Sequence, residues 1–223
     1  MSIAQNLQSI KEKIQNSDNQ VNLVVVSKTI DEEKIKQAID LGCQIFGENK
    51  VIEAKNKWIN LKNQYKNIKL HLIGHLQSNK AADAVQIFDV IQTLDSEKLA
   101  GVLAKEIAKQ KEQQNKFPEI FVQINIGEEE QKSGINPQDA QSFIQKMIEE
   151  YKLPITGVMA IPPVDENPTL YFALLTKIAR ENNLKNISMG MSNDFEIAIA
   201  MGANFIRLGT AIFGNRELTN NKL

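Results

Sequence analysis

With 223 residues, 26 basic and 27 acidic side chains, the chain is long enough for one ordinary domain and is close to electroneutral. That balance gives no electrostatic basis for nucleic acid or an anionic membrane as the main partner, and 42% apolar beside 24% charged residues excludes a disordered chain. A single thiol, Cys43, cannot form a disulfide framework, so a reducing, cytoplasmic setting is expected. Apolar stretches such as Leu23 to Val26 are too short to span a bilayer, and the N-terminus has no apolar signal core, with acidic Glu12 in its first helix-like segment. Lysine fills the surface, 23 residues against three arginines (Arg180, Arg207 and Arg216), so the arginines are the first places to look for a rigid planar cation.

Ile3, Leu7, Ile10 and Ile14 recur at helical spacing and predict an amphipathic opening helix. Val21 to Ser27 is apolar nearly throughout, as a strand covered on both faces is. Thr29 and Glu32 stand in capping-box spacing for the helix that follows, and Gly42 lies just past its end. Gln44 to Phe46 predicts the second strand, leading into a helix that contains Trp58; Lys69 to Ile73 predicts the third, followed by a helix that Ser78 can cap. Phe88 to Gln92 is the fourth run, and Asp95 can cap a long helix over Lys98 to Gln113. In the second half, Ile120 to Ile126 is a strand, Asn136-Pro137 starts a helix, Ile155 to Ile161 is a strand and Asn167-Pro168 starts the next helix. Asn186 to Met189 and Asn204 to Leu208 are the last strands, with a short helix between them ending at Gly202.

Eight strands, each followed by helical sequence, predict a (β/α)8 TIM barrel with an extra N-terminal helix, forming a single domain over residues 1–223. A doubly wound open sheet is the alternative, because periodicity does not establish closure. In a barrel the functional groups stand at the C-terminal ends of the strands.

Lys28 directly follows the first strand, where partial burial lowers an amine's pKa and raises the neutral fraction able to attack an aldehyde. After the second strand, Gly47 permits an unusual turn, and Glu48 and Asn49 are expected to project near the mouth. The third strand carries both histidines, His71 and His75, across a strand end and a glycine; with no cysteine or carboxylate cluster to complete a site, no metal is expected. Lys132 follows the fifth strand, and Cys43 reads as buried filler. The segments Ser188 to Asp194 and Ile206 to Gly214 combine small residues, a hydroxyl at a helix start and a glycine, the chemistry a phosphate monoester needs, where barrels often bind phosphate.

The motifs Val-Ser-Lys-Thr ending at Thr29, Phe-Gly-Glu-Asn ending at Asn49, Ile-Gly-His-Leu-Gln-Ser-Asn-Lys ending at Lys80, Lys132-Ser133-Gly134, Gly-Met-Ser-Asn-Asp ending at Asp194 and Arg-Leu-Gly-Thr-Ala-Ile-Phe-Gly ending at Gly214 appear in order. Together they closely resemble the pyridoxal phosphate (PLP) homeostasis protein family, which is similar to the N-terminal barrel of alanine racemase. The resemblance implies PLP as cofactor, joined as a Schiff base to Lys28. It implies a phosphate cup of Ser192 with the N–H groups of Gly209 and Thr210, and Arg207 beside the pyridine nitrogen. Asn49 and Met159 are implied near the ring, and Lys132 as a second lysine near the cofactor.

A cation beside the pyridine nitrogen disfavours its protonation and weakens the ring as an electron sink, which argues against broad aminotransferase or decarboxylase chemistry, whereas racemase chemistry tolerates an arginine. Racemases of this architecture need a second base opposite the lysine, a tyrosine that comes from a C-terminal β-domain. Only nine residues follow Gly214, and Tyr65, Tyr151 and Tyr171 are expected on outer helices away from the mouth. The implied function is therefore PLP binding in vitamin B6 homeostasis without robust catalysis, with PLP-dependent apo-enzymes as recipients and a monomer as the expected state. A low-activity amino-acid racemase is the enzymatic alternative, and an interaction protein with a vestigial barrel mouth is the third.

Overall fold

The computed structural model describes residues 2–17 and 20–214. Arg216 lies outside them. Eight parallel strands run β1 (Asn22–Val26), β2 (Ile45–Glu48), β3 (Lys69–Leu72), β4 (Val90–Leu94), β5 (Glu119–Ile124), β6 (Ile155–Ala160), β7 (Asn186–Ser188) and β8 (Phe205–Leu208). They pair in sequence order, and β8 closes on β1 through Asn22 opposite Phe205 to Val25 opposite Leu208. The sheet is thus a closed barrel and not the open doubly wound alternative.

Among the described residues the α-helices are α1 (Ile3–Gln15), α2 (Glu32–Asp40), α3 (Val51–Gln64), α4 (Ala81–Ile87), α5 (Glu97–Glu112), α6 (Ala140–Glu149), α7 (Thr169–Glu181), α8 (Phe195–Ala200) and α9 (Thr210–Phe213). Helices α2 to α8 each follow one strand and cover the barrel's outside. The helix after β8, α9, has only four residues and cannot cover a strand. The N-terminal helix takes that place. α1 packs on α9 and α2, buries Leu7 and Ile10, and is tied across the ring by Asn6 Nδ2 donating to the Ile212 carbonyl and Lys13 to Glu196 of α8. The "extra" helix is therefore the eighth member of the outer ring.

Several local expectations shift. α2 is capped by Asp31, whose side chain accepts from the Lys34 N–H, and not by Thr29. Ser96, not Asp95, caps α5 by accepting from the Leu99 N–H, while Asp95 faces His75 at 3.1 Å. Ser78 and Pro137 each open a 3-10 turn, and α4 and α6 begin only at Ala81 and Ala140. β4 lies two residues beyond its predicted start because Phe88 closes α4, its N–H donating to the Ala84 carbonyl. Cys43 is buried, as its apolar neighbourhood predicts, and burial pushes its thiol up.

Strand alternation decides what faces the barrel interior. Val24 points inward, and Val26 and Lys28 share its side; Ser27 points outward, its hydroxyl donating to Glu48 beneath α3. Gly47 has ordinary strand geometry and makes no unusual turn. A Cβ there would lie 3.0 Å from both Val24 and Ile73, so glycine is needed for interior packing. Glu48 points away from the mouth and is fully buried, which corrects the expectation that it projects there.

Candidate functional site

Five of the sequence-predicted residues line one cavity of about 490 Å³ at the C-terminal strand ends: Lys28 after β1, Ser192 after β7, and Arg207, Gly209 and Thr210 at the end of β8. Lys28 is half-buried at the inward-facing exit of β1. Pro162, Pro163 and Glu166 of the β6–α7 loop and Asp194 of the Ser192 loop also line it.

The Ser192 hydroxyl is the centre of a small polar cradle. It accepts from the Thr210 hydroxyl at 3.0 Å and from the Ala211 N–H at 3.2 Å, so Ala211 joins the group expected from Gly209 and Thr210. These residues open α9, and the first N–H groups of a helix have no intrahelical acceptor. Gly209 keeps the wall low: a Cβ there would press within 3.3 Å of Val26.

Arg207 is held from behind. Its Nη1 donates to Ser188 Oγ at 2.7 Å and its Nη2 to the Ala160 carbonyl at 2.9 Å, fixing the guanidinium plane at the cavity floor. Burial pushes its pKa down to about 10, partly offset by the Asp194 carboxylate, so it remains a cation at neutral pH. The chain of bonds continues through the barrel. Ser188 Oγ donates to Gln92 Oε1 at 2.6 Å, and Gln92 Nε2 lies 2.8 Å from His71 Nδ1. Because an arginine can only donate, the bond directions follow: Ser188 gives its hydrogen to Gln92, and Gln92 gives one to His71. His71 is therefore a neutral acceptor at Nδ1. Burial lowers its pKa to about 3, which agrees with that assignment.

The other three predicted residues stand apart from the Lys28 cavity. Asn49, Met159 and Lys132 line a neighbouring cavity of about 300 Å³, together with Gly74 and His75. Lys132 is paired with Glu129 and also reaches the Pro162 carbonyl at 3.4 Å, so it bridges toward the Lys28 cavity through that proline. Asn49 also lines a third cavity, of about 720 Å³, between α3 and the β3–α4 turn. Gly74 seats it: a Cβ at Gly74 would fall 2.4 Å from the Asn49 carbonyl oxygen. The two histidines do not converge, since His71 is inside the barrel and His75 is exposed beside Asp95. Among the described residues no cluster of three metal-ligating side chains occurs, and no helix is long and apolar enough to cross a membrane.

The tyrosines fall partly as expected. Tyr65 ends α3, and Tyr151 bonds Glu97 beyond the far end of α6. Tyr171 differs. It begins α7 on the mouth side, and its hydroxyl donates to Glu166, a cavity residue, at 2.5 Å. That bond, with burial, holds the phenol above its ordinary pKa.

The donor set of the cavity fits PLP: hydroxyls and an N–H for a phosphate, a primary amine for an aldehyde, and a fixed cation for a ring nitrogen. Comparison with known proteins agrees with the architecture. The alanine racemase N-terminal domain family model matches residues 1–217. The pyridoxal phosphate homeostasis protein of Pasteurella multocida is 36% identical over 97% of this chain and 99% of its own length, and that of Aquifex aeolicus 34% identical over 96% of each. PipY of Synechococcus elongatus, solved with PLP bound, superposes with a TM-score of 0.82 at 30% identity, covering 96% of this chain and 100% of that one. The chain belongs to the pyridoxal phosphate homeostasis protein family, whose barrel is of the alanine racemase N-terminal type.

Proposed function

We propose that this protein binds PLP as a Schiff base on Lys28 and serves intracellular B6 vitamer homeostasis without robust catalysis. The observation that carries the reading is the single cavity lined by Lys28, Ser192, Thr210 and the Arg207 cation, with the Ala211 N–H donating to Ser192. The PLP-bound state of PipY supports it. The Lys28 amine would hold PLP through the cofactor's aldehyde, with loss of one water. Ser192, Gly209 and Thr210 are the phosphate-side residues, Arg207 faces the ring nitrogen, and Asn49, Met159 and Lys132 flank the site from the adjoining cavity.

Two features of the chain weigh against efficient turnover. Arg207 is locked as a cation, so it disfavours a protonated ring and weakens the electron sink, which weighs against aminotransferase and decarboxylase chemistry while racemisation tolerates it. Racemisation also needs a second base across from the lysine. Among the described residues Tyr171 is the tyrosine bonded to a cavity residue, and Glu166 keeps its proton in place.

The test combines a spectrum with an assay. Purified protein mixed with PLP should develop a visible absorbance band that Lys28→Ala abolishes. The same preparation should show no rapid stereoinversion across a panel of L-amino acids. Rapid inversion dependent on Lys28 would replace this reading with the racemase, and a protein that takes up no PLP would leave only an interaction role.

A further inference from the structure

The residues immediately before and after Lys28 are held by a network rooted in α3. Ser27 N–H donates to the Gly47 carbonyl at 3.0 Å, and its hydroxyl to Glu48 Oε1 at 2.8 Å. The Ser27 carbonyl accepts from Lys57 Nζ at 2.8 Å and from the Ile30 N–H at 3.1 Å. The last bond closes a turn with Lys28 and Thr29 at its centre. On the other side of Lys28, the Thr29 N–H donates to Glu53 Oε1 at 2.7 Å. Lys57 also donates to both carboxylates, 3.0 Å to Glu48 and 3.0 Å to Glu53. One lysine thus uses three donors to tie Ser27, Glu48 and Glu53 together.

Two features show that this arrangement is imposed on the chain. Thr29 has φ 61°, in the left-handed region, at a turn position that ordinarily takes glycine or asparagine. For a β-branched residue that conformation is a true outlier, and such strain persists only where neighbours over-determine it. Glu48 is fully buried, and its Oε1 takes all three available donors, from Ser27, Lys57 and Trp58. Its Oε2 has no hydrogen-bond partner among the described residues. A buried carboxylate oxygen left unpaired is costly. A network that served only to join β1 to α3 would require neither the orphan oxygen nor the strained threonine.

We infer that Glu53 and Lys57, backed by Glu48, are positioning residues that clamp the backbone on both sides of Lys28 and so aim its amine into the cavity. The inference rests on the proposed role of Lys28. Glu53 grips Thr29 and fixes the left-handed turn, while Lys57 grips the Ser27 carbonyl and fixes where the strand ends. None of the three touches the cavity that Lys28 lines.

The experiment measures the rate at which borohydride traps PLP on Lys28, followed by peptide mapping over a range of pH. In Glu53→Ala, trapping at Lys28 should slow by about tenfold to a hundredfold, the scale of a misplaced reacting group. Glu53→Gln keeps a carbonyl oxygen for the Thr29 N–H and should stay within about threefold of wild type. Glu53→Asp keeps the charge but shortens the reach and should slow trapping like Glu53→Ala; it serves if the alanine variant does not fold. Thr29→Gly placed in the Glu53→Ala protein should recover most of the rate, because glycine adopts positive φ without help. Wild-type protein trapped at Lys28 with Glu53→Ala and Glu53→Asp trapped equally fast would overturn the clamp alone. Wild-type protein with no label at Lys28 would overturn the reading of Lys28 and the clamp with it.

Discussion

The buried chain from Arg207 to His71 makes a quantitative prediction about acid stability. His71 is 1% exposed, accepts from Gln92 at Nδ1, and lies against the ring of Phe205 at 5.6 Å between centroids. Protonating Nδ1 would set one donor against another in a site without water access, and burial lowers the pKa from 6.5 to about 3. The folded protein then stays unprotonated at His71 down to about pH 3, whereas the unfolded chain takes up a proton below about pH 6.5. Since the unfolded state binds more protons across that window, stability is full above pH 6.5 and falls as the pH drops through it. Between about pH 7.5 and pH 5 the loss from this one group is about 2 kcal/mol. Urea unfolding at those two pH values, followed by fluorescence of the fully buried Trp58, measures it. His71→Gln retains an acceptor for Gln92 but has nothing to titrate, so its loss over the same interval should be smaller by about 2 kcal/mol. Equal losses in wild type and variant would refute the neutral, acceptor role of His71.

Other consequences of the geometry can be checked separately. Leu7→Ala on α1 should destabilise the whole barrel by about 2–5 kcal/mol in urea titrations if α1 is the eighth ring helix; a shift below about 0.5 kcal/mol would make it an appendage. Gly74→Ala places a methyl within 2.4 Å of the Asn49 carbonyl oxygen, so it should displace the β2–α3 connection and lower stability by about 1–3 kcal/mol, seen by calorimetry. Ser192→Ala removes the hydroxyl at the centre of the cradle and should weaken PLP retention by about 1 kcal/mol or more, read by dialysis and absorbance; unchanged retention would remove it from the cradle.

Much of this fold is legible in the chain because strands buried on both faces read as short apolar runs and the segments between them read as helices. The errors have local causes. Phe88 continues the apolar run of Val90 and Ile91 although it closes α4, so β4 was predicted two residues early. Thr29 and Asp31 both offer cap chemistry ahead of Glu32, and only the observed turn decides that Asp31 caps while Thr29 turns to Glu53. At the site, Lys28 was within reach because it sits at a strand exit on the inward side. The chain behind Arg207 was not, since His71, Gln92 and Ser188 come from three other strands. Its one visible signal was polar residues interrupting apolar strand runs. Glu53 and Lys57 were hidden for a different reason. At i,i+4 spacing they read as an ordinary surface pair on a helix, and only closure of β1 onto β2 puts that pair beneath the lysine.

The claim on which the functional reading depends is that Lys28, out of 23 lysines, carries the cofactor. Protein incubated with PLP, reduced with borohydride and weighed intact should gain one reduced pyridoxal phosphate, and peptide mapping should place it on Lys28, with the gain absent from Lys28→Ala. A wild-type mass that does not change, or an adduct mapped to another lysine with Lys28 unmodified, would contradict the account.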